Sequence, residues 1–90
     1  MRLGYDPAKR EITLDNRGLD FEDAVEVFAG ITFDRRDDRR DYGEDRFVTV
    51  GWLRGRMVVL VWTPRGETRH IISMRKANER EQARYRTHLD

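Results

Sequence analysis

Residues 46–76 contain three consecutive strand patterns, and this run constrains the fold more than any other part of the chain. Alternation over residues 46–52 places Val48, Val50 and Trp52 on one side, which predicts a strand with one buried face. Residues 57–62 are apolar throughout, which predicts a central strand covered on both faces. A third strand is predicted over residues 69–75. Together the three segments predict an antiparallel meander.

Two short turn sequences separate these strands. Leu53-Arg54-Gly55-Arg56 predicts a tight hairpin, because Gly55 can adopt the positive φ that such a turn needs. Pro64-Arg65-Gly66-Glu67 predicts the second turn, since proline and glycine both interrupt a strand.

Helix start and stop residues flank the predicted meander. Residues 2–5 are predicted to form a short edge strand, and Asp6-Pro7 then predicts an N-cap followed by the first helical residue. The helix is predicted to run over residues 7–16 with Ile12 facing inward, and to end at Gly18.

A second helix and a last helix follow the same logic. Asp20 caps a short amphipathic helix that ends at Gly30, and its inward residues are predicted to be Phe21, Ala24, Val25 and Phe28. A strand over residues 31–34 comes next. Asn78 and Glu81 predict a capping box at the start of the last helix, which ends near Leu89.

The predicted order of elements is β-α-α-β-β-β-β-α. This order favours an α+β fold, with N-terminal helices and a C-terminal helix packed on one face of an antiparallel sheet. Ninety residues predict a single domain over residues 1–90. The helix, strand and turn signals extend over most of the chain, which agrees with one folded unit.

Several classes of protein are disfavoured by composition. The absence of Cys excludes disulfides, a thiol nucleophile and thiolate metal ligands. No apolar run is long enough to span a bilayer, and the N-terminus has no apolar signal-peptide core. The expectation is a soluble cytoplasmic protein. Neither a metal-ligand spacing nor a glycine-rich phosphate loop is present, so no metal and no cofactor are expected.

The near-neutral net charge of +1 hides a division of charge along the chain. Residues 1–45 carry 8 Lys/Arg and 13 Asp/Glu, whereas residues 46–90 carry 10 Lys/Arg and 4 Asp/Glu. Arginine outnumbers lysine 16 to 2, and guanidinium groups can grip phosphate with two hydrogen bonds. A basic second half indicates binding to a phosphate backbone, although codon bias also explains many of these arginines. The mixed-sign run over residues 34–41 is predicted to be a solvated loop or edge.

The strand over residues 69–76 carries the main candidates for chemistry. Strict alternation places Arg69, Ile71, Ser73 and Arg75 on one face, and His70, Ile72, Met74 and Lys76 on the other. Two guanidinium groups and a hydroxyl on an open face predict a cradle for a phosphodiester. The alternative is that both arginines only pair with acids across the sheet.

Three further side chains are candidates with simpler alternatives. His70 is a general acid or base because its usual pKa is near neutrality, or else a histidine packed at the rim of the sheet. Glu44 accepts a proton from a ribose hydroxyl or orients an arginine, or else only pairs with Arg46. Tyr85 offers its hydroxyl to a substrate, or else anchors the last helix to the sheet.

A set of short motifs, in order along nearly the whole chain, resembles the BrnT-type toxins of bacterial type II toxin–antitoxin systems. The matching residues are Asp6-Pro7-Ala8-Lys9, Gly18-Leu19-Asp20-Phe21-Glu22, Ala24-Val25-Glu26-Val27-Phe28, Tyr42-Gly43-Glu44, Arg46, Gly51, Val61-Trp62-Thr63-Pro64-Arg65-Gly66, Ile71-Ile72-Ser73-Met74-Arg75-Lys76-Ala77, Glu81 and Tyr85.

The resemblance implies a RelE-like ribonuclease fold and metal-independent cleavage of RNA that stops translation. It also implies a cognate antitoxin with a ribbon-helix-helix DNA-binding part, in a hetero-oligomer with the toxin. Contact with DNA is then only indirect, through the antitoxin, when the complex represses its own operon. An antitoxin that blocks the basic face is expected to present acidic or apolar side chains and to bury well over ~1,200 Å².

The chain departs from the pattern of these toxins at several positions. Thr13 stands where the family often has Asn, and Asn16-Arg17-Gly18 stands where it often has Lys-His-Gly. His70 stands where many members have arginine, just before Ile-Ile-Ser. Either Arg69 compensates for that difference or His70 changes the pH dependence of cleavage.

The mechanism expected from these residues is attack of the ribose 2′-oxygen on the adjacent phosphorus. RNA is held by Arg46, Arg65 and Lys76, with Tyr85 as a further contact. Glu44 or His70 assists removal of the proton, and Arg75 and Arg69 stabilise charge on the phosphoryl oxygens. A non-catalytic nucleic-acid-binding module and a protein-interaction module remain alternatives. A toxin arrests the growth of cells that express it alone, whereas a passive binder mostly does not.

Overall fold

The computed structural model describes all 90 residues, which form five strands and three helices. The elements in chain order are β1 (Arg2–Tyr5), α1 (Pro7–Arg17), a 3-10 turn (Phe21–Asp23), α2 (Ala24–Ala29), β2 (Thr32–Arg36), β3 (Phe47–Leu53), β4 (Arg56–Arg65), β5 (Thr68–Lys76) and α3 (Glu79–Leu89). The predicted order of elements is therefore confirmed. No helix is both long enough and apolar enough to cross a membrane.

All five strands belong to one sheet in the order β1-β5-β4-β3-β2. The pairs from β2 to β5 are antiparallel, but β1 pairs with β5 in parallel. The β3–β4 hairpin turns at Arg54 and Gly55, which both have positive φ as this kind of turn requires. The expected purely antiparallel sheet is thus wrong at one edge, because β1 joins β5 far along the chain rather than a neighbour in sequence.

Helices cover both faces of the sheet, so the prediction that they share one face is wrong. One apolar cluster joins the 3-10 turn and α2 to inward residues of β4 and β5, among them Phe21, Val27 and Leu60. A second cluster joins α3 to the opposite side of β3 and β4, among them Val59 and Tyr85. We call these two sides the α2 face and the α3 face. Because residues 57–62 of β4 are apolar throughout, this strand supplies Val58 and Leu60 to the first cluster and Met57 and Val59 to the second.

The first helix lies beside the edge of the sheet and buries none of its side chains. Asp6 caps it by accepting a hydrogen bond from the amide of Ala8, and Gly18 ends it with a φ of 67°. Its attachments are polar, since Arg10 pairs with Asp20 and Arg17 donates to the carbonyl of Met74 at 2.9 Å. Ile12 is 58% exposed, so its predicted inward position is wrong.

The short second helix is rotated relative to the prediction. Ala24 and Val27 are fully buried, whereas Val25 is 47% exposed. The helix begins only at Ala24, after a 3-10 turn that has a different number of residues per turn. A 3.6-residue spacing that starts at Phe21 therefore predicts the wrong direction for Val25.

Candidate active site

An irregularity in β5 decides which of its side chains share a face. Ile71 pairs with Trp62 and Ser73 pairs with Val61, so Ile72 is an extra residue without a partner on β4. Such a bulge reverses the alternation of side chains on either side of it. Ile71 and Met74 both belong to the cluster of the α2 face, although they are three residues apart. The prediction of one face for Arg69, Ile71, Ser73 and Arg75 is therefore wrong.

The α3 face receives His70, Ser73 and Arg75 from β5. His70 precedes Ile71, and Arg75 follows Met74, so both lie opposite to those buried residues. The structure thus brings His70 to the side that carries Arg75, which sequence alternation had placed apart.

The α2 face receives Arg69 and Lys76. The guanidinium of Arg69 lies 4.4 Å from the ring centre of Phe28 and 4.9 Å from that of Trp62. This stacking on aromatic rings is a cation–π arrangement, with no carboxylate partner. Lys76 is exposed at the far end of β5, paired opposite Val58. Neither residue joins Arg75, so the predicted phosphate cradle formed by Arg69 and Arg75 together is wrong.

The guanidinium of Arg75 is held by Glu81 in the first turn of α3. Its Nη1 donates to Glu81 Oε1 at 2.6 Å and its Nη2 donates to Oε2 at 2.7 Å. The paired guanidinium holds the pKa of Glu81 at about 2, so this carboxylate is ionised at neutral pH. Hydrogen bonds to Glu81 also raise the pKa of Arg75. Arg75 still has 43% of its side chain exposed, so the pair lies at an open surface.

A second group of charged residues surrounds His70 at the other end of β5. Glu44 lies 3.3 Å from Arg46 and 3.6 Å from Arg65. Burial lowers the pKa of His70, the nearby charge of Arg65 lowers it further, and Glu44 opposes these effects. The imidazole is consequently neutral at pH 7. The predicted pairing of Glu44 with Arg46 is present, and Arg65 is a second partner.

The loop between β2 and β3 is built on a buried carboxylate. Asp37 is 4% exposed and accepts two hydrogen bonds of 2.8 Å from Arg39. It also accepts a hydrogen bond from the hydroxyl of Tyr42, and its amide donates to the carbonyl of Arg46 at 2.8 Å. The predicted solvated run is therefore wrong at Asp37, because four hydrogen bonds to its side chain satisfy a carboxylate that water does not reach.

Tyr85 anchors α3 to the sheet. It is 7% exposed, and its ring centre lies 5.3 Å from that of Phe33 on β2. The alternative of a helix anchor thus describes its ring. The Glu81–Arg75 pair and the Asp37–Arg39 pair were not predicted from the sequence. The capping box of Asn78 and Glu81 marked the first of these carboxylates, but nothing in the sequence indicated its second partner.

No three His, Asp or Glu side chains come together in a way that could hold a metal ion. The side chains brought together on the α3 face are guanidinium, imidazole and carboxylate groups. Such groups can bind phosphate and transfer protons.

Comparisons with known proteins assign the chain to a class of ribonucleases. The fold and the side chains of the α3 face agree with this class. A sequence model of the family described as "Ribonuclease toxin, BrnT, of type II toxin-antitoxin system" matches residues 5–81. The chain belongs to this family of ribonuclease toxins, and the expected family and α+β fold are confirmed.

A solved structure agrees with this assignment. The chain is similar to the Brucella abortus ribonuclease toxin, BrnT, whose crystal structure was determined at 1.1 Å resolution. The two are 28% identical with a TM-score of 0.72, over 88% of this chain and 99% of that one. A comparison with curated protein sequences gives no significant match. Membership in a type II system implies an RNA substrate and a cognate antitoxin.

Proposed function

We propose that this toxin cleaves RNA without a metal ion, on the open part of its α3 face. The observation that carries the proposal is that His70, Arg65 and Arg75 lie on one face, in a family of ribonuclease toxins. The family match covers residues 5–81, which supports treating the chain as one toxin domain. Cleavage of translated RNA makes the cytoplasm the place of action.

In this mechanism His70 is the general base. Its lowered pKa keeps a ring nitrogen unprotonated near neutral pH, which a base requires. The nitrogen takes the proton of the ribose 2′-hydroxyl, and the 2′-oxygen then forms a bond to the adjacent phosphorus. The bond from phosphorus to the 5′-oxygen breaks, and that oxygen takes a proton from water. The products are a 2′,3′-cyclic phosphate and a 5′-hydroxyl.

Arginine side chains supply the positive charge for this reaction. Arg75 stabilises the charge that grows on the phosphoryl oxygens, while Arg65 and Arg46 bind neighbouring phosphates. Glu44 orients Arg65 and Arg46, because it is paired with both. Five residues of strand separate the Cα atoms of His70 and Arg75 by at most about 16 Å, and the gap over Ser73 can hold a ribose and its phosphate.

The cognate antitoxin is proposed to be a ribbon-helix-helix protein that covers this same face. Its DNA-binding part then supplies the only contact of the complex with the operon. The cationic groups Arg46, Arg65 and Arg75 favour a partner segment with acidic side chains. Reduced hydrogen exchange at residues 46–86 in the complex is the expected result. Protection confined to the first helix would contradict this surface.

The reaction is tested by incubating the purified toxin with RNA in excess EDTA. Wild-type protein is expected to produce ends with 2′,3′-cyclic phosphate. Arg75→Ala is expected to reduce the rate by about 100- to 1,000-fold, as the loss of one transition-state donor does. Lys76 was predicted to hold RNA, but it lies on the opposite face from Arg75 and is therefore no longer assigned an RNA contact. Lys76→Ala is expected to leave the rate within about twofold.

Two results would contradict the proposal. Cleavage that requires added divalent metal would remove the metal-independent mechanism. Equal losses in Arg75→Ala and Lys76→Ala would remove the assignment of the reaction to the α3 face.

A further inference from the structure

The guanidinium of Arg75 uses only one of its two hydrogen-bonding edges within the protein. Guanidinium presents a pair of donors at Nη1 and Nη2 and a second pair at Nε and Nη2. Glu81 occupies the Nη1–Nη2 edge with both of its oxygens. The Nε–Nη2 edge therefore remains for an anion, on a side chain that is 43% exposed.

Glu81 is itself held in place by the start of α3. Its Oε1 accepts a hydrogen bond from the amide of Asn78 at 3.0 Å, and its own amide donates to Asn78 Oδ1 at 2.9 Å. Rotation of the carboxylate would break this capping box as well as the pair with Arg75. The first turn of α3 thus fixes the orientation of a guanidinium on β5.

We propose that Glu81 is a positioning residue. It binds the Nη1–Nη2 edge of the Arg75 guanidinium, so that the Nε–Nη2 edge faces the RNA phosphate. This inference rests on the proposed function of Arg75. It differs from a purely structural role, in which Glu81 only stabilises α3. It also differs from an inhibitory role, in which Glu81 competes with phosphate for Arg75.

The Glu81→Gln substitution should change the orientation of the Arg75 guanidinium while it keeps the cap of α3. The amide oxygen of Gln can still accept from Asn78 and from Nη1 of Arg75. Its NH₂ group, however, faces Nη2, so a donor is set against a donor. The guanidinium must then turn, while the capping box keeps its acceptor. Glu79→Gln is the matched control, because Glu79 is an exposed carboxylate in the same helical turn.

The test is a double-mutant cycle with single-turnover rates on RNA in EDTA. Glu81→Gln is expected to lower the maximal rate by about 10- to 100-fold through misorientation. Glu79→Gln is expected to keep the wild-type rate. In an Arg75→Ala background Glu81→Gln is expected to have no further effect, since no guanidinium remains to be oriented.

Several outcomes would overturn the inference. A wild-type rate in Glu81→Gln, or a faster one, would show that the pair is dispensable or inhibitory. An equal loss in the Arg75→Ala background would show that Glu81 acts through stability alone. Failure of the proposed function is distinguishable, because in that case Arg75→Ala itself keeps the wild-type rate.

Discussion

The α2 face of the sheet is closed by apolar side chains, whereas the α3 face is closed only where α3 packs against β2, β3 and the first half of β4. Leu60, Ile71 and Met74 are at most 1% exposed beneath α2 and its preceding turn. On the other side Val61 and Ser73 are only half-buried. Charged residues of the open part are held by carboxylates at the surface, as in the pair of Arg75 with Glu81. The proposed site therefore lies on the part of the sheet that no helix covers.

Substitutions at two adjacent residues of β4, one on each face, are expected to show the largest difference in the free energy of unfolding. Leu60→Ala empties space in the closed core and should reduce the free energy of unfolding by about 2–5 kcal/mol. Val61→Ala lies on the opposite, open side and should cost on the order of 1 kcal/mol. Urea unfolding of both variants measures the contrast. Equal losses would mean that the α3 face is as tightly packed as the α2 face.

The buried carboxylate of the β2–β3 loop comes next in expected effect. Asp37→Asn should destabilise the protein by about 1.5–3 kcal/mol, because Asp37 accepts charge-assisted hydrogen bonds from Arg39. Asp38→Asn is the control, since the Asp38 side chain is 73% exposed and its pair with Arg36 should be worth at most about 1 kcal/mol.

The difference in stability between wild type and Asp37→Asn should decrease at acidic pH. The hydrogen bonds from Arg39 lower the pKa of Asp37 from 3.8 to about 2. Its contribution to stability is therefore complete above pH 3.8 and is lost as the pH falls toward 2. The free energies of unfolding of wild type and Asp37→Asn should therefore converge as the pH falls across that range. A difference that stays constant from pH 5 to pH 2 would contradict a stabilising carboxylate.

The smallest expected effect concerns the titration of His70. Burial lowers its pKa below 6.5, and the charge of Arg65 adds to this. The other charged groups that act on it are Glu44, Lys9 and Asp6. The cleavage rate should rise from acidic pH, with its midpoint below pH 6.5. Arg65→Ala should move the midpoint upward, because the substitution removes a nearby positive charge that lowers the pKa of His70.

The control for this titration is Arg54→Ala, which removes a cation at the β3–β4 turn, where Arg54 pairs with Asp23 and Glu26. It should leave the midpoint unchanged. A midpoint that does not respond to Arg65→Ala would mean that another group titrates. Folding must be monitored in parallel, since a lowered pKa at His70 makes the folded state lose stability as the pH falls below 6.5.

Local sequence signals predicted most of the elements of this fold. Asp6, Gly18 and Asn78 mark helix ends through hydrogen bonds and φ preferences that involve only a few neighbouring residues. The Arg54-Gly55 turn specifies its hairpin in the same way. The order of elements followed because each signal acts over a short stretch of chain.

The composition of the site was also accessible from the sequence, but its arrangement was not. Alternation along β5 identified Arg75 and His70 as candidates, yet it placed them on opposite faces. The extra residue at Ile72 has no sequence marker, because a bulge depends on how β5 pairs with β4. Likewise, the partners of Arg75 and Arg39 depend on where α3 and the β2–β3 loop pack in the folded protein.

By itself, then, the sequence determined the helices, the hairpin, the charge of the second half and the family of the protein. Tertiary structure alone decided that β1 joins β5 in parallel, that helices lie on both faces, and that Arg69 is separated from Arg75. The physical reason is the separation along the chain between the residues that specify each feature. Caps and turns are specified by neighbours along the chain, whereas a face, a bulge and an ion pair are specified by residues that folding brings together.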